Sequence, residues 1–196
     1  MFTGIIETVG KVVDAEKSLG NLTLTIQSSI SRKLKIDESV SHNGVCLTVT
    51  KVEDDTHQVV VVEESLNRTN LKSLLVGTEV NIERAMKADG RWDGHIVQGH
   101  VDQTVRCVQV KELDGSHYIW FDFDPQNAKL LVEKGSITID GVSLTIARLE
   151  TDKFAVAIIP YTFEHTCFNK IQVNNWVNIE FDIIGKYVAR SMEGYK

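Results

Sequence analysis

The chain has 196 residues, of which 42% are hydrophobic and 24% charged, a composition typical of a soluble globular protein with one domain or two small ones. Its 21 basic and 27 acidic residues give a net charge of −6 without any Lys/Arg run, so a nucleic-acid partner is not expected. No apolar stretch reaches the roughly 18 residues of a membrane-spanning helix, and Met1–Glu7 lacks the basic and apolar regions of a signal peptide.

Short β-strands dominate the predicted elements of the first half. Alternating apolar and polar residues, or a β-branched run too short for a helix, mark four segments: Leu22–Ile26, Val45–Thr50, Val59–Val62 and Val80–Glu83. Turn residues such as Asn43-Gly44 separate these segments. Short strands joined by tight turns indicate an antiparallel barrel, because closing the sheet removes its exposed edges.

The second half of the chain repeats the first at an offset of 97 residues. Between Asn43–Glu83 and Asp140–Glu180, 13 of 41 aligned pairs are identical and no gap is needed, whereas chance would give about one identity in sixteen. Upstream, Gly4–Glu7 aligns with Gly99–Asp102 at an offset of 95. A period this long indicates a duplicated domain rather than a solenoid.

The predicted fold class is therefore all-β, with two similar antiparallel β-barrels in tandem, short helices and a C-terminal helix. The expected domains are residues 1–88, 89–184 and 185–196, since glycine and aspartate interrupt the pattern at the first boundary. The start signal Asp124-Pro125 and the stop signal Gly135 predict a helix over Pro125–Glu133.

The tail carries an apolar stripe at helical spacing, formed by Ile184, Tyr187, Val188 and Met192. Such a stripe packs either on the chain's own barrels or on other subunits.

One repeated strand presents a face of small side chains. Cys46 and Thr48 point to one side of the first copy, and Ser143 and Thr145 occupy the matching positions of the second. This face is either a half-solvated barrel exterior or the wall of a ligand site. The three cysteines are odd in number and lack metal-ligand spacing, so we expect free thiols in a reducing, cytoplasmic compartment.

Two histidines open the second copy. His95 and His100 are five residues apart, so on a regular strand they face opposite sides and cannot share a metal, unless a bulge at Gly99 brings them together. The alternatives are structural histidines, a metal site, or a base or hydrogen-bond donor, a task for which neutral imidazole is suited near pH 7.

Charged residues near strand ends, namely Lys134, Glu64, Asp182 and Glu180, would singly be solvated surface groups. The sequence has no phosphate-binding glycine loop, CxxC pair or nucleophile elbow. No metal and no cofactor is therefore expected.

Four segments in order carry a resemblance to a known family: Met1–Glu7, Asn43–Val49, Gly94–Asp102 and Ile139–Thr145. With the duplication, they resemble riboflavin synthase of the alpha-chain type, built from two lumazine-binding domains. The resemblance implies a transferase of riboflavin biosynthesis that makes a flavin by dismutation. One 6,7-dimethyl-8-ribityllumazine donates four carbons to another, giving riboflavin and 5-amino-6-ribitylaminouracil. It also implies a cytoplasmic homotrimer with the C-terminal helix at its axis, without nucleic-acid or membrane partners, and an association with lumazine synthase.

The resemblance also implies the site residues. In the N-terminal site it places Phe2, Thr3, Gly4, Ser39, Cys46, Thr48, Glu64 and Ser65. In the C-terminal site it places His100, Val101, Lys134, Ser143, Thr145, Ile159 and Thr162, with Asp182 near the reaction centre. His100, Cys46, Ser143 and Asp182 are the expected catalytic residues. Because Tyr161 replaces Glu64 and Ser143 replaces Cys46 in the second copy, the two sites are expected to differ.

Two other functions remain open at this stage. Lumazine-binding antenna proteins of luminous bacteria share the duplication but hold a chromophore without converting it, and they depart from the Thr3-Gly4 and Gly99–Val101 motifs that this chain keeps. A purely structural oligomer would not need a small polar face in both copies.

Overall fold

Twelve antiparallel strands close into two barrels in the computed structural model, which describes residues 1–195. The first barrel contains β1 Thr8–Ser18, β2 Asn21–Gln27, β3 Ser39–His42, β4 Val45–Glu53, β5 Thr56–Val61 and β6 Glu79–Arg84. The second contains β7 Gln103–Leu113, β8 Ser116–Asp122, β9 Ser136–Ile139, β10 Val142–Leu149, β11 Lys153–Ile158 and β12 Trp176–Phe181.

Both barrels have the same topology. The strand order around the ring is β1-β2-β5-β4-β3-β6 in the first and β7-β8-β11-β10-β9-β12 in the second. Matching register shifts occur in β1 and β7 and in β4 and β10, where an extra residue bends the strand and helps the sheet to close. The predicted fold class is confirmed.

The helices are short. The α-helices are α1 Glu63–Arg68, α2 Pro160–His165 and α3 Ile183–Met192, and the 3-10 helices are Ser31–Lys33, Asn70–Ser73, Pro125–Leu130, Cys167–Lys170 and Glu193–Tyr195. The helix predicted over Pro125–Glu133 is a 3-10 helix that ends at Leu130. It stops early because Leu131 turns to an extended conformation and buries its side chain in the barrel core.

Two tight turns bring the barrels together back to back. Asn43-Gly44 and Asp140-Gly141 have positive φ angles at both residues, and a side-chain carbon on Gly44 would lie 2.8 Å from the Gly141 nitrogen. Only glycine permits so close a backbone approach.

Crossed amide bonds complete this contact. Asn81 Nδ2 donates to the Asp140 carbonyl at 2.9 Å, and Asn178 Nδ2 donates to the Asn43 carbonyl at 2.8 Å. The two copies are therefore related by an approximate two-fold axis that passes between the turns.

The barrel cores are filled differently. The second core holds several phenylalanines, including Phe121 and Phe154, whereas the first is aliphatic and buries two histidines. His42 and His57 are 0% and 1% exposed. At the offset of 97, the second copy has Ile139 and Phe154 in their places.

The buried histidines belong to a hydrogen-bond chain whose direction is fixed. His42 Nδ1 must donate to the Val40 carbonyl at 3.2 Å, so in the neutral ring Nε2 accepts from His57 Nε2 at 2.8 Å. His57 Nδ1 then accepts from the Ser31 hydroxyl at 2.8 Å. In each ring, one nitrogen donates and the other already accepts a hydrogen bond, so neither ring can take up a proton without breaking the chain. Burial lowers the pKa of His42 to about 3, helped by the neighbouring His57, and lowers the pKa of His57 to about 4.

We predict that this chain makes the protein acid-sensitive. The unfolded histidines take up protons below pH 6.5 and the folded ones do not until about pH 3 to 4, so stability is complete above pH 6.5 and falls as the pH drops below it. Each histidine contributes about 1.4 kcal/mol per pH unit. The variant S31A/H42I/H57F carries the residues of the second copy and should lose this slope, measured by urea unfolding between about pH 7.5 and 4.5. An unchanged slope would contradict the prediction.

Candidate active site

The segments that open the two copies, residues 2–7 and 97–102, cross between the barrels; they are called the opening segments below. The Gly4 carbonyl accepts from the Ser143 nitrogen of the second barrel at 2.8 Å, and the Gly99 carbonyl accepts from the Cys46 nitrogen of the first barrel at 2.9 Å. At the centre of the crossing, Phe2 and Val97 exchange two backbone hydrogen bonds of 2.7 and 3.1 Å. The strands that carry the small side chains, β4 with Cys46 and β10 with Ser143, are called the small-residue strands. Each is therefore covered by the opening segment of the other copy.

A buried carboxylate holds each opening segment on its own barrel. Glu83 accepts from the Thr3 nitrogen at 2.7 Å, the Thr3 hydroxyl at 2.8 Å and the Gly4 nitrogen at 3.0 Å. Glu180 accepts from the backbone nitrogens of residues 98, 99 and 100 at 2.7 to 2.9 Å. Burial raises the pKa of both carboxyl groups above the ordinary value, although these hydrogen bonds oppose the shift.

Apolar packing follows the same crossing. Ile6 packs against the core of the second barrel, and Val101, its counterpart at the offset of 95, packs against the core of the first. The expected placement of Phe2, Thr3 and Gly4 in the N-terminal site and of His100 and Val101 in the C-terminal one stays a prediction. Within this chain, Gly4 contacts Ser143 of the second barrel and Gly99 contacts Cys46 of the first, whereas Thr3 lines a cavity with Ser39. The segments are exchanged, because each is anchored to one barrel and covers the strand of the other.

Beside the small-residue strand of the second barrel, a histidine is bonded to a hydroxyl on each side. His95 Nδ1 lies 2.7 Å from Ser143 Oγ, and His95 Nε2 lies 3.1 Å from Thr138 Oγ1. Burial lowers the pKa of His95, and the negative charge of Asp182 partly opposes the shift. This imidazole is therefore neutral near pH 7 and can take a proton from the Ser143 hydroxyl.

An open cavity of about 680 Å³ adjoins this hydroxyl. Among its walls are Gly4 of the first copy, Ser143 on β10 and Thr162 on α2. Of the residues expected in the C-terminal site, the structure thus brings Ser143 and Thr162 to one cavity and adds Gly4.

The N-terminal pocket has the matching strand without the imidazole. Cys46 pairs with Ser41 and Thr48 with Ser39 across β3 and β4, and the opening segment of the second copy covers Cys46 through Gly99. The side chain of His100 is exposed.

The other expected site residues lie at the barrel rims. Glu64 and Ser65 are on α1, where Glu64 pairs with Arg68 at 2.5 Å. Thr145 is exposed on β10, and Ile159 caps α2. Lys134 occupies a turn with a φ angle of 70° before β9. Asp182 caps α3 by accepting from the Ile184 nitrogen at 2.9 Å.

The sequence analysis assigned a catalytic role to His100 and not to His95, expected Glu180 to be a solvated surface group, and did not single out Thr138 or the role of Glu83. Glu83 and Glu180 are an identical pair of the repeat, and that identity at strand ends was the available signal. Within residues 1–195, no three His, Cys, Asp or Glu side chains converge as metal ligands would. In the same residues, no helix has the length and apolar character needed to cross a membrane.

Residues 3–85 and 98–182 each match the lumazine binding domain family. The riboflavin synthase of Bacillus subtilis is 43% identical over 191 residues, covering 97% of this chain and 89% of that protein. The chain belongs to the riboflavin synthase family. The riboflavin synthases of Mycobacterium bovis, at 41% identity, and Saccharomyces cerevisiae, at 36%, each cover 98% of the chain. The chain covers 98% and 86% of those proteins respectively.

Solved structures share the fold at lower identity. LumP complexed with 6,7-dimethyl-8-(1'-D-ribityl) lumazine gives a TM-score of 0.84 at 19% identity, and LumP complexed with riboflavin gives 0.86 at 20%. Each comparison covers 92% of this chain and 99% of the other. The tandem-barrel architecture is thus shared with LumP, and the curated relatives identify this chain as an enzyme of the riboflavin synthase type.

We predict that Glu180→Gln in the second barrel weakens ligand binding in the pocket of the first. The amide would turn an N–H group towards backbone donors, at a cost of about 1–3 kcal/mol, and loosen Gly99 where it covers Cys46. Calorimetric titration with 6,7-dimethyl-8-ribityllumazine should show one weakened site of two, with a lower Tm.

The matched control is Glu150→Gln, which alters an exposed carboxylate paired with Lys153 and should change neither quantity. Equal weakening of both sites by Glu180→Gln would show that the crossing does not link the barrels as described.

Proposed function

We propose that this enzyme forms riboflavin by the dismutation of two 6,7-dimethyl-8-ribityllumazine molecules, one in each pocket, with 5-amino-6-ribitylaminouracil as the second product. The observation that carries the proposal is the pair of like strands of small side chains, each covered by the opening segment of the other copy. A reaction between two copies of one substrate needs two sites for the same molecule, and the duplication supplies them.

Positioning accounts for much of the catalysis. Holding two reactants with their reacting atoms about 3–3.5 Å apart makes a bimolecular step effectively unimolecular and can remove about 7–11 kcal/mol from the barrier. The atoms of two substrates equal those of both products, so no oxidant or reductant is consumed. The protein then has to supply orientation, a proton acceptor and polar groups.

The site residues follow from the strands and the crossing. In the N-terminal pocket we place Cys46, Thr48, Ser39, Glu64 and Ser65 with His100 and Val101. In the C-terminal pocket we place Ser143, Thr145, Lys134, Ile159 and Thr162 with Thr3 and Gly4. Phe2 supports both, because it lies at the centre of the crossing with its ring beside Gly99.

An exposed apolar stripe on α3 supports a homotrimer. Ile184, Tyr187, Val188 and Met192 are each more than half exposed and follow one helical face. Lys186 of the same helix pairs with Asp102 at 2.6 Å, so a subunit contact through α3 is coupled to the segment that enters the N-terminal pocket. In such a trimer, the N-terminal pocket of one subunit faces the C-terminal pocket of the next, with Asp182 near the reaction centre.

Three free cysteines support a reducing, cytoplasmic location. An association with lumazine synthase, which would supply the substrate, rests on the resemblance of the sequence alone.

We predict that the purified enzyme converts 6,7-dimethyl-8-ribityllumazine to riboflavin with two substrates consumed for each product. Absorbance of both compounds gives the ratio. Tight binding without riboflavin would instead indicate a chromophore carrier and refute the proposed reaction.

A second prediction concerns the subunit boundary. Thr48 and Thr145 occupy matching, exposed positions on β4 and β10, so Thr48→Trp should fill the N-terminal pocket and Thr145→Trp the C-terminal one without disturbing a core. Each variant alone should be inactive. Trimers assembled from an equal mixture should regain about one quarter of the wild-type activity, the fraction of boundaries with two open pockets.

Each variant reassembled alone is the control and should stay inactive. If the reaction took place within one chain, every chain of the mixture would have one blocked pocket, and no activity would return.

A further inference from the structure

The two barrels differ in the groups beside their small-residue strands. In the second barrel, His95 lies between the hydroxyls of Ser143 and Thr138. The hydroxyl on the other side of His95, that of Thr138, has the counterpart Ser41, and the Ser143 hydroxyl has the counterpart Cys46. Within residues 1–195, no histidine side chain is hydrogen-bonded to Ser41 or Cys46.

His95 is held in place by the crossing. Its backbone nitrogen donates to the Thr3 carbonyl at 3.1 Å, and a side chain at the preceding Gly94 would collide with that carbonyl and with Ser143. The ring therefore reaches between β9 and β10 only because the opening segment of the first copy lies across them.

The hydrogen bonds allow His95 to act on Ser143. A neutral imidazole has one N–H group, so when Nε2 donates to Thr138 Oγ1, Nδ1 accepts the proton of the Ser143 hydroxyl. A hydroxyl bonded to a base, with the base oriented by a third group, is the arrangement that activates serine for proton transfer.

We propose that His95 is the positioning residue and proton acceptor for Ser143, so that the C-terminal pocket holds the lumazine that loses a proton and the N-terminal pocket holds the lumazine that is attacked. This rests on the proposed function.

The step balances. A C–H bond of the 7-methyl group breaks, its proton passes to Ser143 Oγ as the hydroxyl proton moves to His95 Nδ1, and the electron pair stays in the conjugated ring. The carbanion attacks the lumazine in the facing pocket. Reprotonation later returns the proton, so no net acid or base is used.

The test is His95→Gln, whose amide can keep both hydrogen bonds but cannot accept a proton near pH 7. We expect kcat to fall about 100-fold or more, with KM within about threefold and Tm unchanged. Exchange of the 7-methyl protons with deuterated water, followed by NMR on the bound substrate, should slow in parallel. The acidic limb of the kcat–pH profile comes from protonation of His95 and should disappear in this variant. The Asp182 carboxylate is the charged group whose field reaches this ring.

Ser143→Ala tests the other end of the pair by removing one oxygen atom. If the two residues act as a unit, the double variant loses no more activity than the poorer single variant. Multiplied losses, or a His95→Gln enzyme with wild-type kcat and exchange, would overturn the inference.

The wild-type enzyme separates this outcome from a failure of the proposed function. Wild-type protein that makes no riboflavin refutes the reaction itself. Wild-type protein that makes riboflavin, together with an unaffected His95→Gln variant, refutes only the role of His95.

Discussion

Two buried carboxylates determine where the functional segments of this protein lie. A carboxylate away from water is destabilising unless donors surround it, and Glu83 and Glu180 each receive three hydrogen bonds from an opening segment. The segments are thereby fixed to one barrel while their next carbonyl groups reach the other. Removing this constraint would leave the backbone N–H groups of the opening segments without their acceptors.

The crossing makes the tandem repeat one unit. Without it, two barrels of under one hundred residues would each bury a modest share of their surface and would be joined by the turns at Gly44 and Gly141 and by the amide bonds of Asn81 and Asn178. With it, each pocket contains parts of both copies. This explains why the opening motifs and the small-residue strands must coexist in one chain.

The two copies are similar but not identical, which fits the proposed reaction, in which one of two identical molecules donates carbon atoms and the other accepts them. The strands, turns and carboxylates repeat, as the proposed binding of the same ring system in both pockets requires. The imidazole of His95 does not repeat, and Cys46 stands where the second copy has Ser143. The cores diverge as well, since His42 and His57 form a polar chain where Ile139 and Phe154 pack. The barrel tolerates either filling because volume and hydrogen bonding are satisfied in both cases.

The sequence by itself determined the duplication, the strand-rich barrels and the apolar stripe of α3, because alternation and repeat spacing are local properties of the chain. It also singled out the face that bears Cys46 and Ser143. It could not determine which barrel each opening segment covers, because periodicity shows the direction of a side chain but not its partner 80 or more residues away. The contacts of His95 with Ser143 and Thr138 and the anchoring by Glu180 were therefore decided only by the tertiary structure, in which long-range hydrogen bonds bring these groups together.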